Sequence, residues 1–284
     1  MKNFKYISLL SVVILLASCE KEITLNLGDY ASKLVVNGEF NTNATVKVEV
    51  SRSIPIMNVA DSTGYLLMDA TAKLYENNAL VGNLTYTNGF YTMNYKPKQG
   101  KAYRVEVNRT GFNPAVAEVG MPASVAVSKP EFNDNVGIDN LGFPFGQLTI
   151  QFKDDVNTKN YYELVVRYYD DGIQQWFPLD FKSNDILFLN NNKLDNGGYV
   201  FSDVSFNGQL KTIITSVESN TANGTPKFEI SIKTFSEEYY NYLKQLRDYN
   251  NSGFFVSDPV ILISNVKNGL GMVGGVYNVK DTLR

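Results

Sequence analysis

The sequence predicts an all-β protein of two β-sandwich-like domains, the first immunoglobulin-like, with one helix in the C-terminal region. Three observations carry this prediction. Apolar and polar residues alternate in several segments, as in residues 46–51 (VKVEVS) and 103–108 (YRVEVN), and a period of two is typical of half-buried strands. The chain contains 18 Tyr and 17 Phe, and aromatic residues favour strands. Turn signals rich in Asn and Gly separate the alternating segments, as expected for antiparallel sheets.

Later strands and their turns follow the same pattern. Alternation recurs in residues 148–152 and 228–232, where Leu, Ile or Phe occupies every second position. Asn77-Asn78 marks a turn, and Asn88-Gly89 separates the strand-like segments LTYT and FYTM. Because a type I′ turn needs positive φ at both central residues, which Asn and Gly tolerate, Asn88-Gly89 predicts a β-hairpin.

Residues 236–249 are predicted to form the one substantial helix. Ser236 is suited to cap it, and the acidic Glu237 and Glu238 in the first turn match the helix dipole. Its apolar stripe comprises Tyr239, Tyr242, Leu243 and Leu246, and Lys244 and Arg247 lie near its predicted end. Because such a stripe usually belongs to the core, we expect it to pack on the second sheet. A partner-binding helix is the alternative.

Composition divides the chain after the first group of strands. Strand signals from Leu34 to about Val119 fit an immunoglobulin-like sandwich, residues 33–122. Residues 120–146 contain three prolines among Asn, Asp and Gly, which favours a linker over residues 123–146. A second β domain, residues 147–284, then contains the helix.

The N-terminus has the organisation of a secretory signal. Lys2 and Lys5 precede the apolar run 7–16 (ISLLSVVILL), which is shorter than the roughly 20 residues of a membrane span. The tetrapeptide LASC that ends at Cys19 resembles the lipobox of bacterial lipoproteins. We therefore predict a signal peptide over residues 1–18 and a lipidated tether over residues 19–32. The resemblance implies that Cys19 receives diacylglycerol and, after cleavage, an acyl chain such as palmitate, which anchors the protein to a membrane.

Two further patterns indicate surface display. Glu20, Lys21 and Glu22 directly follow the cysteine and resemble part of the surface-export signal of Bacteroidota lipoproteins. A solvated tether is the alternative. The tripeptides around Ser62 (DST) and Thr282 (DTL) resemble the D-S/T-x sites that Bacteroidota O-glycosylate, with ordinary polar turns as the alternative.

The composition excludes several classes of chemistry. The chain has no His and one Cys, at position 19, which excludes Ser-His-Asp and Cys-His catalysis and histidine-ligated metal sites. A net charge of −3, with Lys and Arg scattered along the chain, gives no indication of nucleic-acid binding. We therefore expect no enzymatic activity, no cofactor and no metal.

The acidic segments and one glycine-rich segment resemble catalytic or binding motifs only in part. Asp154-Asp155 and Asp170-Asp171 are predicted to be hydrated turn residues, because a carboxylate-based glycoside hydrolase, the minor alternative, needs its carboxylates across a cleft. Calcium binding by residues 133–135 (NDN) or Asn184-Asp185 is another alternative, although neither has EF-hand spacing.

Residues 269–274 spell G-x-G-x-x-G, but only ten residues follow. Because a dinucleotide-binding unit needs a helix and a strand there, we expect instead a bulged or closely packed final strand.

Segments along nearly the whole chain resemble one family. They are CEKEITLNL, KLVVNGEF, VKVEVSRS, SEEYYNYLKQL and DPVILISNVKNGLGMVGG, and they are similar to the DUF4249 lipoproteins of Bacteroidota. The resemblance implies an outer-membrane lipoprotein, often encoded beside a TonB-dependent receptor, with no assigned enzymatic activity. We expect a surface-exposed accessory or ligand-binding subunit of a TonB-dependent nutrient transporter, with exposed Tyr, Phe and Asn as contacts for an unidentified ligand. A surface adhesin or structural lipoprotein without a transported ligand is the alternative.

Overall fold

Strands dominate the computed structural model, which describes residues 31–55, 64–179, 183–189, 192–218, 227–251 and 262–283. The strands are β1 (Leu34–Asn41), β2 (Val46–Arg52), β3 (Thr71–Glu76), β4 (Ala79–Thr87), β5 (Phe90–Met93), β6 (Ala102–Asn108), β7 (Ala115–Gly120), β8 (Ala126–Val127), β9 (Glu131–Ile138), β10 (Pro144–Lys153), β11 (Tyr161–Asp170), β12 (Gln175–Pro178), β13 (Tyr199–Ser202), β14 (Leu210–Glu218), β15 (Phe228–Phe235), β16 (Val266–Lys267) and β17 (Val273–Leu283). The described helices are α1 (Ile186–Leu189) and α2 (Glu237–Asn251), with a 3-10 turn over Asp203–Ser205. The predicted all-β class is confirmed.

The first sandwich forms because strand β4 changes sheets. Its residues 79–84 pair with β3, whereas residues 85–87 pair with β5. One sheet therefore has the order β1–β2–β5–β4, and the other has the order β4–β3–β6–β7–β16. Strands that switch sheets make the corners of such sandwiches. The largest fully buried side chains of this core are Leu34, Phe40, Leu74, Tyr91 and Tyr103.

The second sandwich uses most of the remaining strands. One sheet has the order β12–β11–β15–β17, with β13 also paired to β11, and the other consists of β14, β10 and β8, with β9 also paired to β10. Alternate residues of β10, β11 and β15 fill the core between them. Its fully buried members include Leu148, Ile150, Phe152, Tyr162, Leu164, Ile213 and Phe228.

Strand β17 connects the two sandwiches. Its residues 273–276 run parallel to β1, and its residues 276–283 run antiparallel to β15. The glycines before and within it permit close packing: a Cβ on Gly274 would overlap the ring of Tyr239, and one on Gly275 would overlap the carbonyl oxygen of Gly120. The predicted close packing of the final strand is therefore confirmed, and the G-x-G-x-x-G segment leads into a strand.

The predicted strands and turns are borne out in detail. Valines 46, 48 and 50 are buried in β2, and the apolar members of the other alternating segments are buried in β6, β10 and β15. Asn88 and Gly89 have φ of 51° and 89°, and Thr87 pairs with Phe90. This is the predicted hairpin with positive φ at both turn residues. Asn77 and Asn78 also have positive φ, between β3 and β4.

Helix α2 lies where predicted and extends two residues further, and Tyr239 and Leu243 of its predicted stripe pack on the second sandwich together with Tyr240. The Ser236 carbonyl accepts the Tyr240 N–H at 3.0 Å, so Ser236 is the N-cap position, while its Oγ accepts the Gly275 N–H at 3.3 Å. Tyr240, outside the predicted stripe, is the buried residue and packs on Tyr161 with ring centroids 4.6 Å apart. Because the helix continues to Asn251, Lys244 and Arg247 are not in its last turn.

Short elements occur in segments that have no clear sequence signal for a strand or a helix. The segment predicted as a linker, residues 123–146, contains β8 and β9, which both pair with β10. Its backbone is therefore part of the second sandwich. The four-residue helix α1 was not predicted from the sequence; the Asp185 carboxylate accepts the Leu187 N–H at its start.

Both cores lie within one compact unit, residues 32–284, and the division into two domains at residues 123–146 stays a prediction.

Candidate functional site

A cleft opens at one side of the second sandwich, where α1 lies between strands β13 and β14 of opposite sheets. Its volume is about 610 Å³, within the range of about 300–1,000 Å³ common for ligand sites. The walls are residues 183–185 before α1, Phe188 of α1, Tyr199 of β13, and the alternate residues Thr212, Ile214 and Ser216 of β14. The cleft therefore combines residues from three separate parts of the chain.

Charge in the cleft is balanced internally. Asp185 supplies the carboxylate among the lining residues, and its Oδ2 lies 2.5 Å from Nζ of Lys211. Its Oδ1 accepts the Leu187 N–H at 3.0 Å. Both charged side chains are largely buried, so each satisfies the other away from water. The surface that the described lining residues offer to a ligand is therefore polar but close to neutral.

Hydroxyl, amide and aromatic groups supply the rest of the lining. Ser183 Oγ donates to the Ile214 carbonyl at 2.8 Å, which fastens residues 183–185 to the free edge of β14. Thr212 Oγ1 accepts from Gln151 at 3.1 Å, and a hydroxyl that accepts can also donate. The rings of Phe188 and Tyr199 meet edge to face, with centroids 5.2 Å apart. One wall of the cleft is thus aromatic and the other is hydroxyl-rich.

A second candidate surface is the β9–β10 hairpin, which exposes large apolar side chains at its turn. Ile138, Leu141 and Phe143 are 71%, 81% and 60% exposed. The turn is nevertheless well ordered, because Asp139 Oδ1 accepts the N–H groups of Leu141 and Phe143, both at 2.9 Å. The Asp139 N–H also donates to the Phe143 carbonyl at 2.8 Å. The hairpin therefore presents a preorganised apolar tip.

The β11–β12 hairpin adds aromatic side chains at the same end of the sandwich. Phe152 contacts Tyr162 with centroids 5.0 Å apart, and Phe132 of β9 contacts Phe228 with centroids 5.1 Å apart. Phe228 is paired with Tyr168 near the end of β11. The two ring contacts therefore place the start of β10 and the end of β11 at the same end of the sandwich. Both hairpin turns, residues 139–143 and 171–174, therefore lie at this end of the sandwich, which we call the hairpin end.

The hairpin end is remote from the point where the chain enters β1. Leu34 begins β1, and Gly38 lies beside Val273 at the start of β17. Strand β17 then continues to Leu283, which pairs with Phe228. At about 3.3 Å per residue, this path is about 45 Å long. The N-terminal entry and the hairpin end are thus at opposite ends of the strand path.

Asp154 is not the hydrated turn residue that the sequence predicts. It is 3% exposed and accepts hydrogen bonds from the Tyr162 hydroxyl, from Asn160 Nδ2 at 3.1 Å, and from the Gly208 N–H at 2.6 Å. The prediction failed because two of these donors come from β11 and from the turn after the 3-10 segment. Asp170 and Asp171 do behave as predicted: Asp170 accepts N–H bonds within its own turn and Asp171 is exposed.

Burial shifts the pKa of groups around Asp154. It raises the pKa of Asp203, whose carboxylate accepts the Asn160 N–H at 2.7 Å. It also raises the pKa of the Tyr162 hydroxyl, and the hydrogen bond to Asp154 adds to this effect. Both carboxylates hold backbone and side-chain donors within the fold, and neither lines the cleft. Their arrangement is structural, and it resembles no pair of carboxylates facing a substrate.

The predicted site residues are spread over the chain. Cys19, Glu20, Lys21, Glu22 and Ser62 lie outside the described residues. Thr282 is exposed but lies in β17, paired with Glu229, and not in a polar turn.

The oxygen-rich segments proposed for calcium are engaged in the fold. Residues 133–135 lie in β9, and Asp185 is paired with Lys211. Within the described ranges, no three acidic, His or Cys side chains are grouped to hold a metal ion.

Both candidate surfaces were missed at the level of sequence. The cleft has no local signature, because its walls are distant in the chain. The apolar tip had one: Leu141 and Phe143 interrupt a segment otherwise rich in Asp, Asn, Gly and Pro, and apolar residues in such a turn are unusual. In the part of the chain that the structure describes, no helix is long and apolar enough to cross a bilayer.

Several solved structures share low similarity with the chain. A DUF4785 family protein from Legionella pneumophila is 10% identical, with a TM-score of 0.26, over 75% of this chain and 58% of that protein. The fibronectin(III)-like modules of CbhA from Clostridium thermocellum are 10% identical, with a TM-score of 0.24, over 72% of this chain and 86% of that chain. A putative membrane anchored protein from Corynebacterium diphtheriae is 9% identical, with a TM-score of 0.22, over 73% and 55%. The chain thus spans little more than half of the Legionella protein, and these likenesses carry no inference about function.

Family membership is established by sequence. No curated protein matches the chain. The family model of DUF4249, described as a domain of unknown function, matches residues 20–282. This match covers the body of the chain from the residue after Cys19 almost to the C-terminus, so the protein belongs to the DUF4249 family.

Proposed function

We propose that the protein is a lipid-anchored, surface-exposed outer-membrane lipoprotein of Bacteroidota that acts as an accessory or ligand-binding subunit of a TonB-dependent nutrient transporter. Cys19 carries the lipid, and residues 20–33 connect it to β1. The partner is the TonB-dependent receptor, which the family resemblance implies.

The observation that carries this proposal is the apolar hairpin end. Large exposed apolar residues that cluster on a folded body are typical of protein–protein contact sites. Here the apolar tip consists of Ile138, Leu141 and Phe143, and the same end of the sandwich also carries Ile173, which is 61% exposed, and the half-exposed Trp176. The hydrogen bonds of Asp139 hold the tip in one conformation, and a preordered surface loses less entropy on binding.

Acidic residues near the hairpin end indicate which charge we expect on the receptor surface. Asp139 lies in the β9–β10 turn and Asp134 in β9, and Asp171 in the neighbouring turn forms an ion pair with Lys227 at 2.6 Å. We expect the receptor to offer an apolar pocket with basic groups at its rim, because complementary charge favours encounter and fixes orientation. The long strand path between Leu34 and this end keeps the tip away from the attachment of the tether.

Affinity purification of the native lipoprotein from detergent-solubilised outer membranes tests the proposal. The TonB-dependent receptor should be recovered with the wild-type protein, and Leu141→Asp combined with Phe143→Asp should abolish its recovery. Leu80→Asp, a change of the same kind at a residue 58% exposed on β4, is the matched control and should retain the receptor.

Two outcomes would contradict the proposal. Recovery of the wild-type lipoprotein without any receptor would favour the adhesin or structural role. Equal recovery of the receptor by the hairpin-end variant and by the control would remove the apolar tip as the contact surface. Normal membrane fractionation of all variants shows that anchoring is unaffected by the substitutions.

A further inference from the structure

Building on the proposed role in nutrient capture, we infer that the cleft between α1, β13 and β14 binds a neutral carbohydrate. The lining residues of the cleft, which lie before and on α1, on β13 and on the outward face of β14, are not those of the apolar tip. A ligand there would leave the apolar tip free for the receptor.

Neutrality of the ligand follows from the charge balance of the cleft. An anion would need an unpaired cation, but Lys211 is held 2.5 Å from Asp185. A cation would need an unpaired carboxylate, and both oxygens of Asp185 are engaged, by Lys211 and by the Leu187 N–H. Separating this buried pair to serve a charged ligand would leave one charge uncompensated, which is costly. Ligands with a net charge are therefore disfavoured.

The polar lining of the cleft indicates a ligand that is rich in hydroxyl groups. Asn184, Thr212 and Ser216 contribute an amide and two hydroxyls to the walls. Each of these groups can both donate and accept hydrogen bonds. The hydroxyl groups of a sugar have the same dual capacity, whereas an apolar ligand would leave these groups without partners as it displaced water.

The aromatic wall completes the match to a carbohydrate. Phe188 and Tyr199 form a half-buried aromatic surface in the same cleft as the hydroxyls of β14. A pyranose ring is amphipathic in the same way, because its axial C–H groups form an apolar face and its hydroxyls form a polar edge. The cleft volume of about 610 Å³ accommodates a ligand larger than a single small metabolite. We therefore assign a short oligosaccharide, not a free ion or a hydrocarbon.

The walls are fixed before any ligand arrives. Ser183 Oγ bonds the Ile214 carbonyl at 2.8 Å, and Thr212 is bonded to Gln151 of β10 at 3.1 Å. Strand β14 pairs with β10 along its whole length, from Leu210 to Glu218. Preorganised polar groups of this kind provide specificity at low entropic cost.

Titration calorimetry on the full chain purified in detergent tests the assignment. The probes are maltoheptaose, xylohexaose and mannohexaose as neutral ligands, with oligogalacturonate and inorganic phosphate as charged ones. At least one neutral probe should bind, and the charged probes should bind more weakly. Asn184→Ala combined with Ser216→Ala should weaken binding about tenfold, as expected for the loss of two neutral hydrogen bonds.

A blocking variant and a matched control separate binding from folding. Ile214→Trp fills the cleft from an exposed position on β14 and should abolish binding while the thermal midpoint is retained. Thr85→Val, an exposed position on β4 of the other sandwich, should bind like the wild type.

The assignment is wrong if the natively folded chain binds none of the neutral probes. It is also wrong if a charged probe binds most tightly, or if Ile214→Trp binds as the wild type does. Carbohydrate binding by a protein that fails to recover the receptor would overturn the proposed transporter role alone, so the two failures are distinguishable.

Discussion

Replacement of Asp154 by Ala should destabilise the protein strongly, although Asp154 looks like a surface residue in the sequence. The carboxylate is 3% exposed and accepts hydrogen bonds from the Tyr162 hydroxyl and the Gly208 N–H through its two different oxygens. Removing it leaves these two donors without their acceptor, whereas the third donor, Asn160 Nδ2, also bonds the Asp155 and Thr158 carbonyls at 3.1 and 2.9 Å. Tyr162 is 1% exposed, so water does not readily replace the lost partner.

The magnitude follows from these contacts. A buried donor left without a partner costs about 1–3 kcal/mol, so two such donors predict a loss of about 2–6 kcal/mol. Asp154→Asn should cost less, because its amide oxygen still accepts one bond and its amide group can donate to the Tyr162 oxygen. Asp155→Ala is the adjacent control: its carboxylate bonds only Asn157 in an exposed turn, and we expect a change within about 0.5 kcal/mol.

Urea unfolding of the full chain in detergent, followed by circular dichroism, measures these differences. The order of stability should be wild type and Asp155→Ala together, then Asp154→Asn, then Asp154→Ala, with similar dependence on denaturant. An Asp154→Ala variant within experimental error of the Asp155→Ala control would refute the buried hydrogen-bond network as a source of stability.

Further predictions concern anchoring, display and packing. Cys19→Ala should release the protein from the membrane fraction; a cleaved variant that stays there contradicts the lipoprotein assignment. Protease added to intact cells should digest the wild type, while alanine at residues 20–22 should protect it, and a protected wild type contradicts surface display. Gly271→Ala should cost more than about 1 kcal/mol in a thermal melt, because Gly271 has a φ of +112° and its Cβ would overlap the Val36 carbonyl; an unchanged midpoint refutes this. Hydrogen bonds from two tyrosine hydroxyls lower the pKa of Glu76, so the Glu76 carboxylate stabilises the fold above about pH 4.3, and this stabilisation is lost as pH falls through the lowered pKa. The difference in unfolding free energy between wild type and Glu76→Gln should therefore narrow as the pH is lowered, and a constant difference contradicts the shift.

Local signals in the sequence predicted elements well where the determining interactions are close in the chain. The Asn88-Gly89 turn depends on the φ preferences of two residues, and the alternation in residues 46–51 depends on which face of one strand is buried. Helix α2 was placed correctly because capping and periodicity act within a few residues. The stripe packs on the second sandwich as predicted through Tyr239 and Leu243, but the burial of Tyr240 was not predicted, since it depends on Tyr161 of a distant strand.

The candidate sites depended on contacts between distant segments. Asp154 is buried because β11 and the turn at Gly208 fold over it, and no property of its neighbours in sequence indicates this. The cleft exists because Ser183 of the α1 segment bonds the edge of β14, more than thirty residues away. The apolar tip was readable from Leu141 and Phe143, but its place at the same end of the sandwich as the β11–β12 turn was not.

The sequence by itself thus determined the strand-rich class, the main turns and the family, since side-chain period, turn preference and motif similarity are local properties of the chain. Its export and lipidation signals are predictions of the same local kind. Only the tertiary structure decided that β17 connects both cores, that Asp154 is internal, and that a neutral cleft and an apolar hairpin end occupy different places. Burial and charge pairing are set by segments far apart in sequence, and they become defined only when hydrophobic packing brings those segments together.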